Sequence, residues 1–324
     1  MGATDFQAIL QALSLRQLTF DEVAALQALL ATAMQAGQCF SLIEAAAGRP
    51  PCPRCTCRRC HRSSSANGLQ RYRCTACGRT FNALTGTPLA RLRLRDKWLA
   101  YLACLLESTT VRTAAERVAV APSTSFRWRH RFIAGVRRER RPALSGIVEV
   151  DETYHLESQK GSRHLTRRAR RRGGQASRRG LSKEFDCILV ARDRNRVTHD
   201  FVTGRGPVSA ARLKAHLLPV LAPDILLISD AAIAYQVFAQ EAGITHEAVN
   251  VRAGIRVRGA IHIQNVNAWH SRFKRWLGRF HGVASRYLAN YTGWRQALDA
   301  GSPATPSDWL RIGVAPARYG TGCQ

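Results

Sequence analysis

Two short apolar runs end in aspartate, and they constrain the fold more than any other feature. Asp151 follows Gly146-Ile147-Val148-Glu149-Val150, and Asp230 follows Ile225-Leu226-Leu227-Ile228-Ser229. Runs of this length and apolarity read as buried strands. Between and after them the pattern predicts strands near 146–153, 185–193, 196–203 and 224–230, with one more near 246–251. Helices fit 208–221, 231–242 and 264–299. A β-β-β-α-β-α order with acids at strand ends suits a mixed sheet of the ribonuclease H type. A doubly wound sheet fits much of the same pattern, but no glycine-rich phosphate loop is present.

The chemistry follows from placement. A pleat puts Asp151 on the face of Glu149 and turns Glu152 the other way. Two strand-end carboxylates and a third oxygen ligand can clamp Mg²⁺ or Mn²⁺ against a phosphate. Asn267 offers that oxygen from a helix whose apolar stripe is Val266, Trp269, Phe273, Trp276, Leu277 and Phe280. At about 100° per residue, Lys274 falls about 20° from Asn267 and about 10.5 Å along the axis, placed to hold a phosphate. His270 falls on the same side. Glu149 and Glu152 are reserve ligands and His262 an alternative third one. The bland reading makes the aspartates turn residues, Asn267 a cap and Lys274 a solvated charge.

The remainder is strongly basic. Forty-nine Lys and Arg face 22 Asp and Glu, a net charge of +27 in 324 residues. Such an excess favours a polyanion, above all nucleic acid, because each neutralised phosphate releases counterions. Between the first two strands, residues 158–183 hold ten Lys and Arg and no acid, among them Arg167, Arg168, Arg170, Arg171 and Arg172. This insertion reads as a solvated loop that orders on DNA.

Six of the ten Cys lie between Cys52 and Cys77. Cys52-Pro-Arg-Cys55 and Cys74-Thr-Ala-Cys77 form two knuckles 18 residues apart, the spacing of a zinc ribbon, with Cys57-Arg-Arg-Cys60 as a competing first knuckle. The clustering speaks for metal binding in a reducing cytosol rather than a disulfide framework. No apolar stretch is expected to reach a membrane span, and no secretory signal is expected. Residues 95–139 carry a helix, a second helix from Val111 to Val118, a break at Val120-Ala121-Pro122, and a third helix capped by Ser123. Thr124, Arg127, Arg129 and Arg131 would line that third helix in a DNA groove. An ordinary three-helix packing unit has the same pattern. Phe6, Ile9, Leu10 and Leu13, then Val23, Leu26, Leu29 and Leu30, predict a helical hairpin whose second helix starts at Thr19.

These pieces match a known family. Beside Cys52–Cys55 stand Gln70-Arg-Tyr-Arg-Cys-Thr-Ala-Cys-Gly-Arg-Thr-Phe-Asn82, Leu84-Thr-Gly-Thr-Pro-Leu89, Phe126-Arg-Trp-Arg-His-Arg-Phe132, Val148-Glu-Val-Asp-Glu-Thr-Tyr154 and Val266-Asn-Ala-Trp-His-Ser-Arg-Phe-Lys-Arg-Trp276. Over most of residues 50–296 the chain resembles the transposases of prokaryotic insertion-sequence family 1595 (ISXO2-like). The resemblance implies a zinc ribbon, a helix-turn-helix and a nuclease domain of the Asp-Asp-Glu type, with Asn in place of Glu in some branches and Lys seven residues on. It picks Cys52, Cys55, Cys74 and Cys77 as the zinc set. The additional Cys-Arg-Arg-Cys knuckle and the missing Glu depart from the commoner pattern.

The expected organisation is a helical hairpin over 1–48, a zinc ribbon over 49–90, a helix-turn-helix domain over 91–142, a ribonuclease H-like α/β transposase domain over 143–300, and a tail over 301–324. The expected activity is metal-dependent cleavage at terminal inverted repeats and transfer into target DNA by a cytoplasmic dimer or higher oligomer. The alternatives are a DNA-binding regulator with an inert C-terminal domain and a nuclease that cuts without joining.

Overall fold

The computed structural model describes residues 7–8, 11, 19–137, 141–170, 174–249, 254 and 257–315. Phe6, Ile9, Leu10 and Leu13, Arg171 and Arg172, and the end of the expected 246–251 strand lie outside them. Helix α1 (Phe20–Ala47) starts where Thr19 and Glu22 close a reciprocal capping box. It corrects one expectation. By length and composition α1 is apolar enough to cross a membrane. Its last turns are spent on the protein core instead, with Cys39 and Ile43 fully buried.

Against that end of α1 lies a three-stranded antiparallel sheet, β1 (Cys60–Ala66), β2 (Leu69–Cys74) and β3 (Thr80–Asn82). Its first hairpin turns at Asn67-Gly68, both with positive φ (52° and 76°), the pairing that a two-residue hairpin loop requires. Gly68 is needed twice over, since a Cβ there would stand 2.6 Å from the Phe40 ring of α1. Gln70 N–H donates to Glu44 Oε1 at 2.9 Å and pins β2 to the helix.

Helices α2 (Trp98–Leu106), α3 (Val111–Arg117) and α4 (Pro122–Arg137) follow. The third starts at Pro122 rather than after Ser123. Proline has no amide hydrogen to lose in a first turn, and Ala121 O takes the Ser125 N–H at 3.0 Å, so Ser123 lies inside the helix instead of capping it.

The third unit is a mixed five-stranded sheet in the order β6-β5-β4-β7-β8. Its strands are β4 (Ile147–Leu156), β5 (Phe185–Asp193), β6 (Thr198–Arg205), β7 (Leu226–Asp230) and β8 (Thr245–Val249), with α5 (Ala210–Leu217) and α6 (Ile233–Ala242) between the later ones. Strands β4, β5 and β6 pair antiparallel, whereas β7 runs parallel to both β4 and β8. The alternation of the strands sorts the two faces. Val148, Val150 and Leu227 pack under α5 and α6. Ile188, Val190 and Ile228 pack on the opposite side under α7 (Gln264–Gly278) and α8 (Ser285–Asp299).

Residues 264–299 were expected as one helix. They are two, because His281 and Gly282 take positive φ (50° and 96°), which no helix tolerates. Within the stretch expected as a tail, Pro306–Val314 form helix α9, whose Trp309 and Leu310 are fully buried. One apolar core therefore runs from the end of α1 through α2, α4 and α9 to the α7–α8 face of the sheet.

Candidate active site and nucleic-acid face

Strand register brings the two aspartates together. Glu149 pairs with Ile228, the last pair of the parallel β4–β7 ladder, and two residues further along each strand Asp151 and Asp230 share its face, near enough for the Asp230 charge to act on the Asp151 carboxyl. Neighbouring strands are about 4.8 Å apart, which puts both carboxylates on one patch of sheet. Asp230 Oδ1 accepts the Ala232 N–H at 3.1 Å, fixing the turn into α6. Asp151 is pushed up to about 7, first by burial and then by the charges of Glu152 and Asp230, with Lys274 opposing them. Glu152 points to the other face, as the pleat requires, and accepts a hydrogen bond from Tyr235 Oη at 2.8 Å. Burial, the largest cause, raises its carboxyl too.

Helix α7 lies over this patch, and Glu149 holds it there. The Ile263 side chain at its N-cap makes no capping bond. Instead the fully buried Glu149 accepts from Asn265 N at 2.8 Å, Val266 N at 3.0 Å and Asn265 Nδ2 at 2.7 Å. A carboxylate from the sheet thus satisfies the free N–H groups and complements the helix dipole. Arg194 Nη1 stands 2.6 Å from Glu149 Oε1, and His262 Nδ1 3.3 Å from it. Glu149 and His262, held in reserve as metal ligands, are both committed to this cap. The only sequence signal for the role was that Glu149 shares a face with Asp151.

Asn267 is half-buried on α7, and Lys274 is exposed two turns on. Among the described residues no hydrogen bond joins the Asn267 side chain to either aspartate. From α7, His270 comes to Asp151, its Nδ1 3.7 Å from Asp151 Oδ2. Burial, with Lys274 adding to it, lowers the His270 imidazole to about 3, so it is neutral.

A second cluster lies at the β1–β3 sheet. The Sγ atoms of Cys52, Cys55, Cys74 and Cys77 lie within 4.8 Å of one another, with Cys52–Cys77 at 3.6 Å and Cys55–Cys74 at 3.5 Å. A zinc tetrahedron with Zn–S bonds of about 2.3 Å has edges of about 3.8 Å, so the four sulfurs fit that ion. Backbone N–H groups of Cys77 and Ala76 draw Cys74 down to about 6 against the effect of burial. Cys57 and Cys60 direct their thiols to the carbonyls of Arg59 and Cys57 instead.

On α4, Ser123, Arg127 and Arg131 form one exposed stripe at i, i+4 and i+8, with Thr124 half-buried beside it. Arg129 is a correction. It is 1% exposed, donates from Nη2 to Thr109 O at 2.6 Å and lies over the rings of Phe280 and Trp294. It is a core residue and reaches no groove. The basic insertion is corrected in part as well. Arg167 Nε stands 2.8 Å from Glu157 Oε2, and Arg170 Nη1 donates to Glu157 O at 2.5 Å and lies by Glu184. Acids flanking the insertion hold its arginines, whereas Arg168 is exposed. Lys160 Nζ reaches the carbonyls of His281 and Gly282 at 3.0 Å and docks the loop on the α7–α8 turn.

Residues 143–294 match the ISXO2-like transposase domain. A protein of transposable element ISH50 from Halobacterium salinarum, described as uncharacterized, is 28% identical over 243 residues, 74% of this chain and 82% of that protein. The pre-cleavage Mos1 transpososome is 15% identical and covers 68% of this chain and 79% of its own, at a TM-score of 0.25. The Mos1 strand transfer complex is 16% identical at a TM-score of 0.23, covering 68% and 78%. Those two likenesses are too loose to carry an argument. The domain match and the insertion-element relative, on top of the motifs at Asp151 and Asn267, support a likeness to the ISXO2-like transposases of insertion-sequence family 1595.

Proposed function

We propose that this chain is an insertion-sequence transposase that cuts and joins DNA at Asp151 and Asp230, with a ribonuclease H-like sheet as the platform. The carrying observation is the placement of the two aspartates on one face of adjacent strands under α7. An Asp151 carboxyl held up near 7 by burial and neighbouring acids calls for a cation. Asp151, Asp230 and Asn267 would hold a divalent metal, Mg²⁺ or Mn²⁺. Bound there, it supplies Lewis-acid activation of the attacking oxygen and neutralises charge on the phosphate. Lys274, on the solvent side of the same flank, holds a non-bridging phosphate oxygen as a point charge. Glu149 keeps α7, and with it Asn267 and Lys274, over the acids. Water opens the phosphodiester at the transposon end and leaves a 3′-hydroxyl. That hydroxyl attacks a target phosphodiester in line, one P–O bond forming as another breaks.

DNA is the partner this reading requires. The exposed stripe Ser123, Arg127 and Arg131 reads the terminal inverted repeat, with the zinc-loaded ribbon and the Arg168 loop on neighbouring phosphates. Joining two ends calls for at least a dimer, working in the cytoplasm of a prokaryotic cell.

The test is cleavage and joining of terminal-repeat DNA. Asp151→Asn and Asp230→Asn are each expected to abolish both steps and leave end binding intact. Undiminished strand transfer by either variant sinks the assignment. Tight end binding with no metal-dependent cleavage by the parent would favour the regulator.

A further inference from the structure

His270 is the side chain beside the acid pair that the reaction above leaves without a task. It follows Asn267 by three residues and precedes Lys274 by four, so all three share one flank of α7. The residue is 6% exposed. Its Nε2 is buried with no hydrogen-bond partner. Its Nδ1 stands 3.7 Å from Asp151 Oδ2, beyond hydrogen-bond range. A nitrogen and a carboxylate oxygen therefore face each other across a gap that neither bridges. Two donors about 2.1 Å from one cation stand about 3.0 Å apart at right angles and about 4.2 Å apart in line, and the observed gap lies between these limits. The other histidine near α7 is not available. His262 Nδ1 accepts from Gln264 N at 3.3 Å, and its ring lies against Arg194 at 3.0 Å and Glu149 at 3.3 Å.

We propose that His270 is a nitrogen ligand of the divalent-metal site, bound through Nδ1 beside Asp151, and that it tilts the site toward Mn²⁺ over Mg²⁺. Imidazole is a poor donor to Mg²⁺ and a better one to transition metals. The proposal rests on the acid-pair reading. It adds a donor that the loss of the third acid leaves room for, since Asn267 contributes a neutral oxygen only.

The experiment is pulsed electron paramagnetic resonance on the full-length protein with substoichiometric Mn²⁺, with histidine at natural abundance and labelled with ¹⁵N. The parent is expected to show one histidine nitrogen coupled to Mn²⁺. His270→Gln is expected to lose that coupling and to bind Mn²⁺ about tenfold more weakly or worse. His262→Gln is expected to keep it. Bound Mn²⁺ with no histidine nitrogen in the labelled parent overturns the proposal and needs no substitution to be read. So does a coupling that survives His270→Gln and vanishes in His262→Gln. Asp151→Asn separates the two claims. Mn²⁺ binding lost in that variant, with no nitrogen seen in the parent, removes His270 alone. Mn²⁺ binding unchanged in that variant removes the acid pair and His270 together.

Discussion

Asp151 pays in stability for its position. Its carboxyl is held up to about 7, chiefly by burial, against an ordinary value of 3.8. Between those limits the folded chain binds more protons than the unfolded one, so stability falls as pH rises through the window. Without divalent metal, Asp151→Asn is expected to melt above the parent at pH 8, with the advantage gone by about pH 4. Added Mn²⁺ should raise the parent's Tm at pH 8 and leave the variant's unchanged. A variant that melts at or below the parent at pH 8 contradicts the argument. The arginines of α4 call for a different division. Arg129→Ala leaves a cavity against the Phe280 and Trp294 rings and strips Thr109 O of its donor, and should cost about 2–5 kcal/mol in denaturant unfolding. Arg127→Ala and Arg131→Ala should leave stability within about 0.5 kcal/mol and weaken end binding. Equal stability losses in all three would erase the distinction between core and reading face.

At the scale of elements, two contacts between distant segments decide where the working helices sit. Glu149 on β4 caps α7. The other contact is glycine on glycine, where α4 crosses α9. A Cβ on Gly135 would stand 2.8 Å from Gly313 Cα, and one on Gly313 would stand 3.0 Å from Leu89 Cδ1. Backbone cannot yield as a side chain does, so α9 must shift. Gly135→Ala is expected to destabilise by about 1–3 kcal/mol, more than the helix propensity of alanine returns. Denaturant midpoints measure it, and a stabilised variant would show that the two helices are not in close contact.

For the whole molecule, the question is how independent the four-cysteine unit is of the rest. Its four-sulfur end has a small core of its own around Cys52, Tyr72, Cys74 and Phe81. Its other end, at Leu69, belongs to the main core with Cys39 and Ile43. A module this small would depend on a metal held by its four cysteines. Zinc removal by a strong chelator is therefore expected to deprotect residues 52–82 in hydrogen exchange and to leave β4, β5 and β7 protected. Loss of protection throughout the sheet would make residues 52–82 part of one cooperative unit. No change in residues 52–82 would reject a structural metal.

Much of this architecture was legible in local pattern. Apolar runs ending in Asp151 and Asp230 marked strands that do become neighbours. The β-β-β-α-β-α order is the one observed, and Thr19 and Glu22 marked a helix start. Periodicity and spacing carry such information because each depends on residues a few positions apart. The side chains misread along the way depend on partners far off in the chain. Arg129 is buried by Phe280 and Trp294, and the Arg167 and Arg170 guanidinium groups meet Glu157 across a loop. Glu149 caps a helix 116 residues away, and His270, not His262, comes to Asp151. Composition makes an arginine basic wherever it stands. Whether its charge faces solvent, a carboxylate or an aromatic ring is set by which surfaces the core brings together, and only the packed chain decides that.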